Sequence, residues 1–329
     1  MITNGTAGGL SGNAVATLMV ASCNLLNLAL PGHVFYPNQD PYTAEEYRRK
    51  LDWLGAMAAR LAADVIGFQE VWDESALKSV LERSGVHLPH VIAPGAETGA
   101  QGTPRVGLAT RLAVDTVESI ADFAPGEGVQ VPEIGAHSKF ERPVLKASLR
   151  MKHGQLLHVL VVHLKSKRPK YLQDAAGNPT EDRDDPVVTA RAALRALVMR
   201  GSEAAALRGL VLGLIQRTRD PLILLGDMND SPQSVTSQLI AATQAVAYDR
   251  QARDVALYHA YDVQTDAIKR DVAYSHIYQG WPETLDQIWV SEEFVVGSKF
   301  ALGDVCRVEY FNDHLHESRE RFRSDHGFV

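Results

Sequence analysis

The chain has 329 residues, 45% of them hydrophobic and 22% charged, the balance of a globular protein with ample core material. A formal net charge of −7 excludes a global basic field, so any phosphate binding has to be local. The two cysteines, Cys23 and Cys306, exclude a disulfide framework and a C-x-x-C metal spacing, and no apolar run approaches the length of a membrane span.

Residues Met1–Asn13 are rich in Gly, Ser and Thr and read as a flexible arm, with 14–329 as a single domain. MITNGTAGGLSGNAV lacks the basic and apolar regions of a secretory signal, so a cytoplasmic protein is expected. Thr17–Leu30 is strand-like, with Asn24 and Asn27 near its end. Thr43 and Glu46 have the spacing of a capping box, and Tyr47, Leu51, Leu54, Ala58 and Leu61 then recur at helical spacing. Asp64–Val71 reads as a buried strand with Glu70 at its end, followed by a short helix from about Glu74 to Arg83. His90–Pro94 is a short strand, Gly95–Pro104 a Gly-rich loop, Arg105–Arg111 and Val114–Phe123 paired strands, and Pro125–His137 a further loop.

Glu141–Met151 and Leu156–Lys165 read as a hairpin turning at His153-Gly154, with Arg142 at one end and His163 and Lys165 at the other. Arg168–Asp185 is a polar surface excursion, and Val187–Arg217 is helical, with Gly201 and Gly209 suggesting a break. In PLILLGDMNDSP, Pro221–Pro232, an apolar strand runs through Gly226 into Asp227, Asn229 and Asp230. Residues two apart share a face of an extended chain, so Asp227 and Asn229 can address one ligand. Taken alone this is a polar turn capping a strand; its significance is that four more apolar strands end in the same kind of group. Ser234–Ala242 is helical, and Ala273–Tyr278, Leu285–Ser291 with Asp286, and Phe300–Phe311 read as strands. Strands along the whole length, with helices between some of them and no repeat or linker, indicate an α+β domain with two packed sheets.

The motifs QEV at Gln69–Val71, HLK at His163–Lys165, GDMND at Gly226–Asp230, LDQIWVS at Leu285–Ser291 and SDH at Ser324–His326 are individually common. In this order, from Asn24 to His326, they resemble the endonuclease/exonuclease/phosphatase superfamily, which includes DNase I, apurinic endonucleases, neutral sphingomyelinases and inositol polyphosphate 5-phosphatases. The resemblance implies a DNase I-like, four-layer αββα sandwich of two packed mixed sheets flanked by helices, with the site at one end of the sheets. It also implies that Asn24, Glu70 and Asp325 hold a metal. Oxygen donors without cysteine suit Mg²⁺ or Mn²⁺ better than Zn²⁺. By the same resemblance Asp227 orients or deprotonates a water, Asn229 donates to a phosphate oxygen, Asp286 fixes the ring of His326, and His326 and His163 contact the scissile phosphate from opposite sides. Arg142 and Lys165 match cationic positions for phosphate contacts. Superfamily members continue beyond the terminal Asp-His, whereas this sequence stops at Val329, so the last strand is expected to be very short or cut off.

The implied activity is that of a divalent-metal-dependent phosphodiesterase, first of all a nuclease acting on DNA or RNA. KSKRPK, Lys165–Lys170, is the local basic footprint for such a substrate. QEVW at Gln69–Trp72 also resembles the sphingomyelinase branch, which keeps a small or lipid phosphoester as an alternative, although no membrane-binding helix or apolar hairpin is evident. A catalytically inactive binding module on the same fold is the third reading. Neither a membrane nor an obligate protein partner is expected. Asp227-x-Asn229 also resembles the start of a calcium loop, but the Gly and closing Glu of that motif are missing.

Overall fold

Alternation along the buried strands sets the layers. In Leu156–His163 and Leu222–Asp227, the side chains of Val159, Val161, Ile223 and Leu225 point to one face, and those of Leu160, Val162, Leu222 and Leu224 to the other. The first set meets Val65, Val106 and Leu108 of a second sheet. The other set packs on Ala204, Leu207, Val211 and Ile240 from helices Pro186–Ile215 and Val235–Ala241. On the far side of the second sheet, Cys23, Ile66 and Phe68 are covered by Leu51, Leu54, Leu77 and Val80 of helices Ala44–Leu61 and Glu74–Ser84. The result is the expected α/β/β/α sandwich. The computed structural model describes residues 2–3, 17–96, 102–152, 154–266 and 272–329.

Edge to edge, the larger sheet runs Tyr258–His259, Asp286–Val290, Leu222–Asp227, Leu156–His163, Lys139–Arg150, Ala113–Asp122. The smaller runs Val20–Leu28, Val65–Val71, Arg105–Thr110, His90–Ile92. Each is mixed, with one parallel pair: Leu156–His163 beside Leu222–Asp227, and Val20–Leu28 beside Val65–Val71. Two glycines permit the close approaches. A Cβ on Gly67 would lie 2.0 Å from Leu225 Cδ1 of the facing sheet. One on Gly226, at φ +140°, would lie 2.0 Å from Val162 O of the neighbouring strand.

Several expectations need correction. Arg105–Thr110 and Ala113–Asp122 are not paired with each other; the chain crosses between them from the smaller sheet to the larger. Pro186–Ile215 is one unbroken helix, capped by Asp185 with Pro186 in its first turn. Gly201 and Gly209 cost it some stability, but burial of its core face outweighs their low propensity. Of Phe300–Phe311 only Asp304–Val305 is strand, and of Ala273–Tyr278 only His276–Tyr278, paired with Trp281–Glu283. The loop Pro125–His137 contains a small hairpin, Val129–Val131 with Gly135–His137. The Thr43–Glu46 capping box forms in both directions. Of the N-terminal arm, Ile2–Thr3 pairs with Thr17–Leu18 and Asp304–Val305; the rest lies outside the described residues, as do His153 and part of the Gly95–Pro104 loop.

Candidate active site

The register of the larger sheet aligns three of the candidate residues. His163 is paired with Asp227 across the parallel ladder, and Asp227 with Asp286 across the antiparallel one, so the three stand side by side at one sheet end. His163 and Asp227 end apolar runs and Asp286 begins a strand, antiparallel to that of Asp227, whose residues are all buried, so burying these strands buries their polar ends as well. His326 arrives from the C-terminal segment. Its Nδ1 lies 2.7 Å from Asp286 Oδ2, and its Nε2 lies 4.0 Å from Asp227 Oδ2. His163 Nε2 is 3.3 Å from the same Asp227 oxygen, on which Asn24 Nδ2 also converges at 3.3 Å. Asp227 Oδ1 accepts the Asn229 amide at 2.8 Å, and Asn229 Nδ2 donates to Leu164 O.

The two histidines are driven apart. Burial, reinforced by the charges of Arg142, His326 and Lys165, holds His163 well below the ordinary imidazole range, so it is neutral. Burial opposes a charge on His326 too, but the charge and hydrogen bond of Asp286, with Asp227 and Asp325 beyond, overcome it and hold the imidazolium well above that range. Asp227 is pushed up to about 7, mainly by burial with the Asp286 charge adding. A carboxylate poised near neutrality between a neutral ring and a cationic ring has the properties of a general base beside an electrostatic stabiliser.

The smaller sheet supplies the oxygen donors. Its parallel strands Val20–Leu28 and Val65–Val71 bulge where they reach the site, and Leu26, Asn27 and Glu70 all take positive φ. The bulges turn Glu70 toward Asn24, whose Nδ2 is 3.5 Å from Glu70 Oε1, while Asn27 N donates to Glu70 Oε2 at 2.9 Å. Burial and the Asp325 charge raise the Glu70 pKa. No Lys or Arg among the described residues forms an ion pair with Glu70, Asp227, Asp286 or Asp325. Asn24 bonded to both Glu70 and Asp227, with the Asp325 charge acting on Glu70, offers the hard oxygen chemistry that a divalent cation takes. Asp227, Asp286 and His326 also bring ligand atoms within 4.8 Å of one another, a spacing a metal can span. The 2.7 Å Asp286–His326 contact, with the ring held cationic, favours a shared proton at that position. A cleft of about 230 Å³ opens beside Asp325, lined by Leu26, Ile277, His314 and Arg323 among others. A larger one of about 440 Å³, around Tyr261 and Tyr310, contains none of the candidate site residues.

The two cationic candidates differ. The Arg142 guanidinium donates weakly to Leu164 O at 3.2 Å and leaves its buried Nε without a partner, while its charge acts on Glu70. Lys165 is turned inward, its ammonium bonded to Ser166 O, Ser166 Oγ and Arg168 O. Within KSKRPK, Lys167 pairs with Glu283 at 2.5 Å, and Arg168 is exposed. The C-terminal segment is tied to the strand Val20–Leu28 and to Phe311 through a very short pairing. Val329 and Ser22 exchange two backbone hydrogen bonds, Phe328 pairs with Phe311, and Ser324 Oγ donates to Asn24 O.

Supporting residues also emerge that the motifs did not reveal. Buried Glu203 of the long helix accepts Lys165 N and Glu141 N, fixing the strand ends on either side of Arg142. Lys50, fully buried, and Tyr42 hold Leu26 O in its strained turn. Ser275 Oγ accepts the amides of Leu285 and Asp286. Trp72 of QEVW is a buried prop, donating its indole N–H to Asn27 Oδ1. For Glu203 and Lys50 a signal did exist: each is a charge within the apolar stripe of a helix.

The sequence matches the Endonuclease/Exonuclease/phosphatase family over residues 21–326. Among curated proteins none matches. Among solved structures the fold resembles an endonuclease/exonuclease/phosphatase family protein from Leptotrichia buccalis, at TM-score 0.51 and 16% identity over 95% of this chain and 97% of that one. It also resembles truncated TDP2 of Caenorhabditis elegans, at TM-score 0.52 and 12% identity over 94% of each chain. A mannosyl-6-phosphatase of Bacteroides thetaiotaomicron is similar at TM-score 0.51 and 16% identity over 95% of this chain and 97% of that one. Members of the matched family are divalent-metal-dependent hydrolases of phosphoester bonds. With that match spanning almost its whole length, the chain belongs to the Endonuclease/Exonuclease/phosphatase family.

Proposed function

We propose that the protein is a divalent-metal-dependent phosphodiesterase that cleaves nucleic acid by in-line attack of water. The observation that carries the chemistry is the alignment of His163, Asp227 and Asp286 in one register, with His326 completing it. Asp227 orients the water and takes its proton; a carboxylate near its pKa at neutral pH is suited to that exchange. Cationic His326, fixed by Asp286, faces the scissile phosphate and stabilises charge as it builds. Neutral His163 and the side-chain carboxamide of Asn229, through the N–H not given to Leu164 O, approach from the other side, and Arg142 offers its unpartnered Nε to a phosphate oxygen. Asn24, Glu70 and Asp325 hold the Mg²⁺ or Mn²⁺ ion, which when bound polarises the phosphoryl group and neutralises its charge.

What supports nucleic acid as the substrate is the basic loop that follows His163. Lys170 is tied to the long helix through its backbone, its N–H donating to Ala192 O and its carbonyl accepting from Arg195, which leaves the side chains of Arg168 and Lys170 for flanking phosphates. Arg142 and Arg168 both act on the phenol of Tyr36, as does Glu70, so loop and catalytic cations belong to one region. A panel of plasmid DNA, single-stranded DNA, RNA, an aryl phosphodiester, an aryl phosphomonoester and sphingomyelin, with each metal and with EDTA, tests the reading. Metal-dependent cleavage of a polynucleotide is expected. Turnover confined to the monoester or to sphingomyelin would replace the substrate, and no metal-dependent turnover at all would indicate a binding module.

A further inference from the structure

Resting on the nucleic-acid reading, we infer that Tyr278 and Trp281 form a stacking ledge for the bases of a single-stranded substrate next to the scissile phosphate. They face each other across the hairpin formed by His276–Tyr278 and Trp281–Glu283. Its two turn residues, Gln279 and Gly280, both have positive φ, the geometry of a tight turn that keeps the two strands in register. Alternation then places His276, Tyr278, Trp281 and Glu283 on one face.

The inner rung of that face is built into the catalytic site. The His276 ring lies 5.0 Å from the His326 ring, and Glu283 takes the Lys167 ammonium at 2.5 Å. The base of the hairpin is fixed as well, since Ser275 O accepts the Gly327 amide and Ser275 Oγ the Asp286 amide. The outer rung is Tyr278 and Trp281, about 7 Å further along at two residues of strand rise. They remain 59% and 76% exposed, although Trp and Tyr are side chains that folding ordinarily covers. Nothing else in the described chain uses the Trp281 indole, which makes no hydrogen bond. Lys167 joins this hairpin to the basic loop, so aromatic faces and cations flank one side of the catalytic centre. Exposed aromatic rings beside a cationic track are the arrangement by which single strands are held, since every base offers a π-face and every link a phosphate.

A lipid surface suits the hairpin less well. Its tip is Gln279-Gly280, its inner rung is His276 and Glu283, and the whole chain carries a charge of −7.

The test compares KM and kcat for a single-stranded oligonucleotide and for an oligomer of equal length whose sugars carry no bases. Trp281→Ala should raise KM on the base-bearing strand about five- to a hundredfold, with kcat little changed. It should leave the base-free oligomer unaffected, and Trp281→Phe should recover most of the loss. Because Trp281 is largely exposed, the substitution does not threaten folding. Equal effects on both oligomers, or none on either, overturn the ledge while leaving the nuclease reading intact. Trp281-dependent retention on zwitterionic vesicles, without a base-dependent KM, assigns the pair to lipid and also overturns it. If the wild-type enzyme hydrolyses an aryl phosphodiester but neither oligomer, the ledge falls; the nucleic-acid reading falls with it only if plasmid DNA and RNA are left intact as well.

Discussion

Replacing Asp286 by Asn keeps the side-chain volume and removes one charge from the 2.7 Å contact with His326 Nδ1. Asp286 is fully buried, and the Ser275 hydroxyl accepts its backbone amide, an interaction the substitution leaves in place. A hydrogen bond to a charged group contributes about 1.5–3 kcal/mol, and each pKa unit is about 1.4 kcal/mol. The imidazolium of His326 is held above its ordinary range, so activity that requires it persists below that raised pKa and is lost as pH rises through it. Asp286→Asn should therefore move the alkaline limb of the kcat/KM profile to lower pH by about one to two units. It should also lower kcat at neutral pH about a hundredfold or more. The assay is a pH–rate profile with an aryl phosphodiester for the wild type, Asp286→Asn, His326→Ala and the double variant, with circular dichroism confirming the fold. If the pair acts as one unit, the double variant is little worse than His326→Ala. An unmoved alkaline limb, or fully multiplicative losses, would refute the dyad.

Glu70→Gln should weaken metal binding, so that activity returns in part at high metal concentration; turnover and metal dependence both unchanged in a metal titration would remove Glu70 from the ligand set. Gly226→Ala should cost about 3 kcal/mol or more, because the new Cβ would meet Val162 O at 2.0 Å in a left-handed conformation, and urea unfolding will show it. Glu203, raised to about 7 mainly by burial from an ordinary value of 4.5, contributes stability that is complete below about pH 4.5 and lost as pH rises through 7. The span is on the order of 3 kcal/mol. Glu203→Gln has no proton to lose there, so its melting temperature should fall less than that of the wild type between about pH 5 and about pH 8. Parallel melting curves would show that Glu203 does not titrate in that window.

Much of the architecture is legible in local sequence. Runs such as LILLGD and LLHVLVVH are too apolar to lie anywhere but between two layers, and each ends in a polar group that burial alone does not explain. The motif order from Asn24 to His326 likewise carries the family, since it records which strand ends hold which chemistry. Partners are another matter. Arg105–Thr110 and Ala113–Asp122 look like a hairpin because they are adjacent, yet each finds a better neighbour in a different sheet; pairing is settled by non-local packing. Gly201 and Gly209 weaken a helix only on local propensity, a small term beside the core face of a 30-residue helix. The inward turn of Lys165, the support from Glu203 and the placement of Trp281 beyond His276 and His326 depend on side chains far apart in sequence. Local pattern says which residues are buried and which end a strand; the opposite protonation of two chemically identical histidines is decided by what surrounds them. Asp286 stands 2.7 Å from His326, while burial and nearby cations surround His163, and only the folded chain brings those groups together.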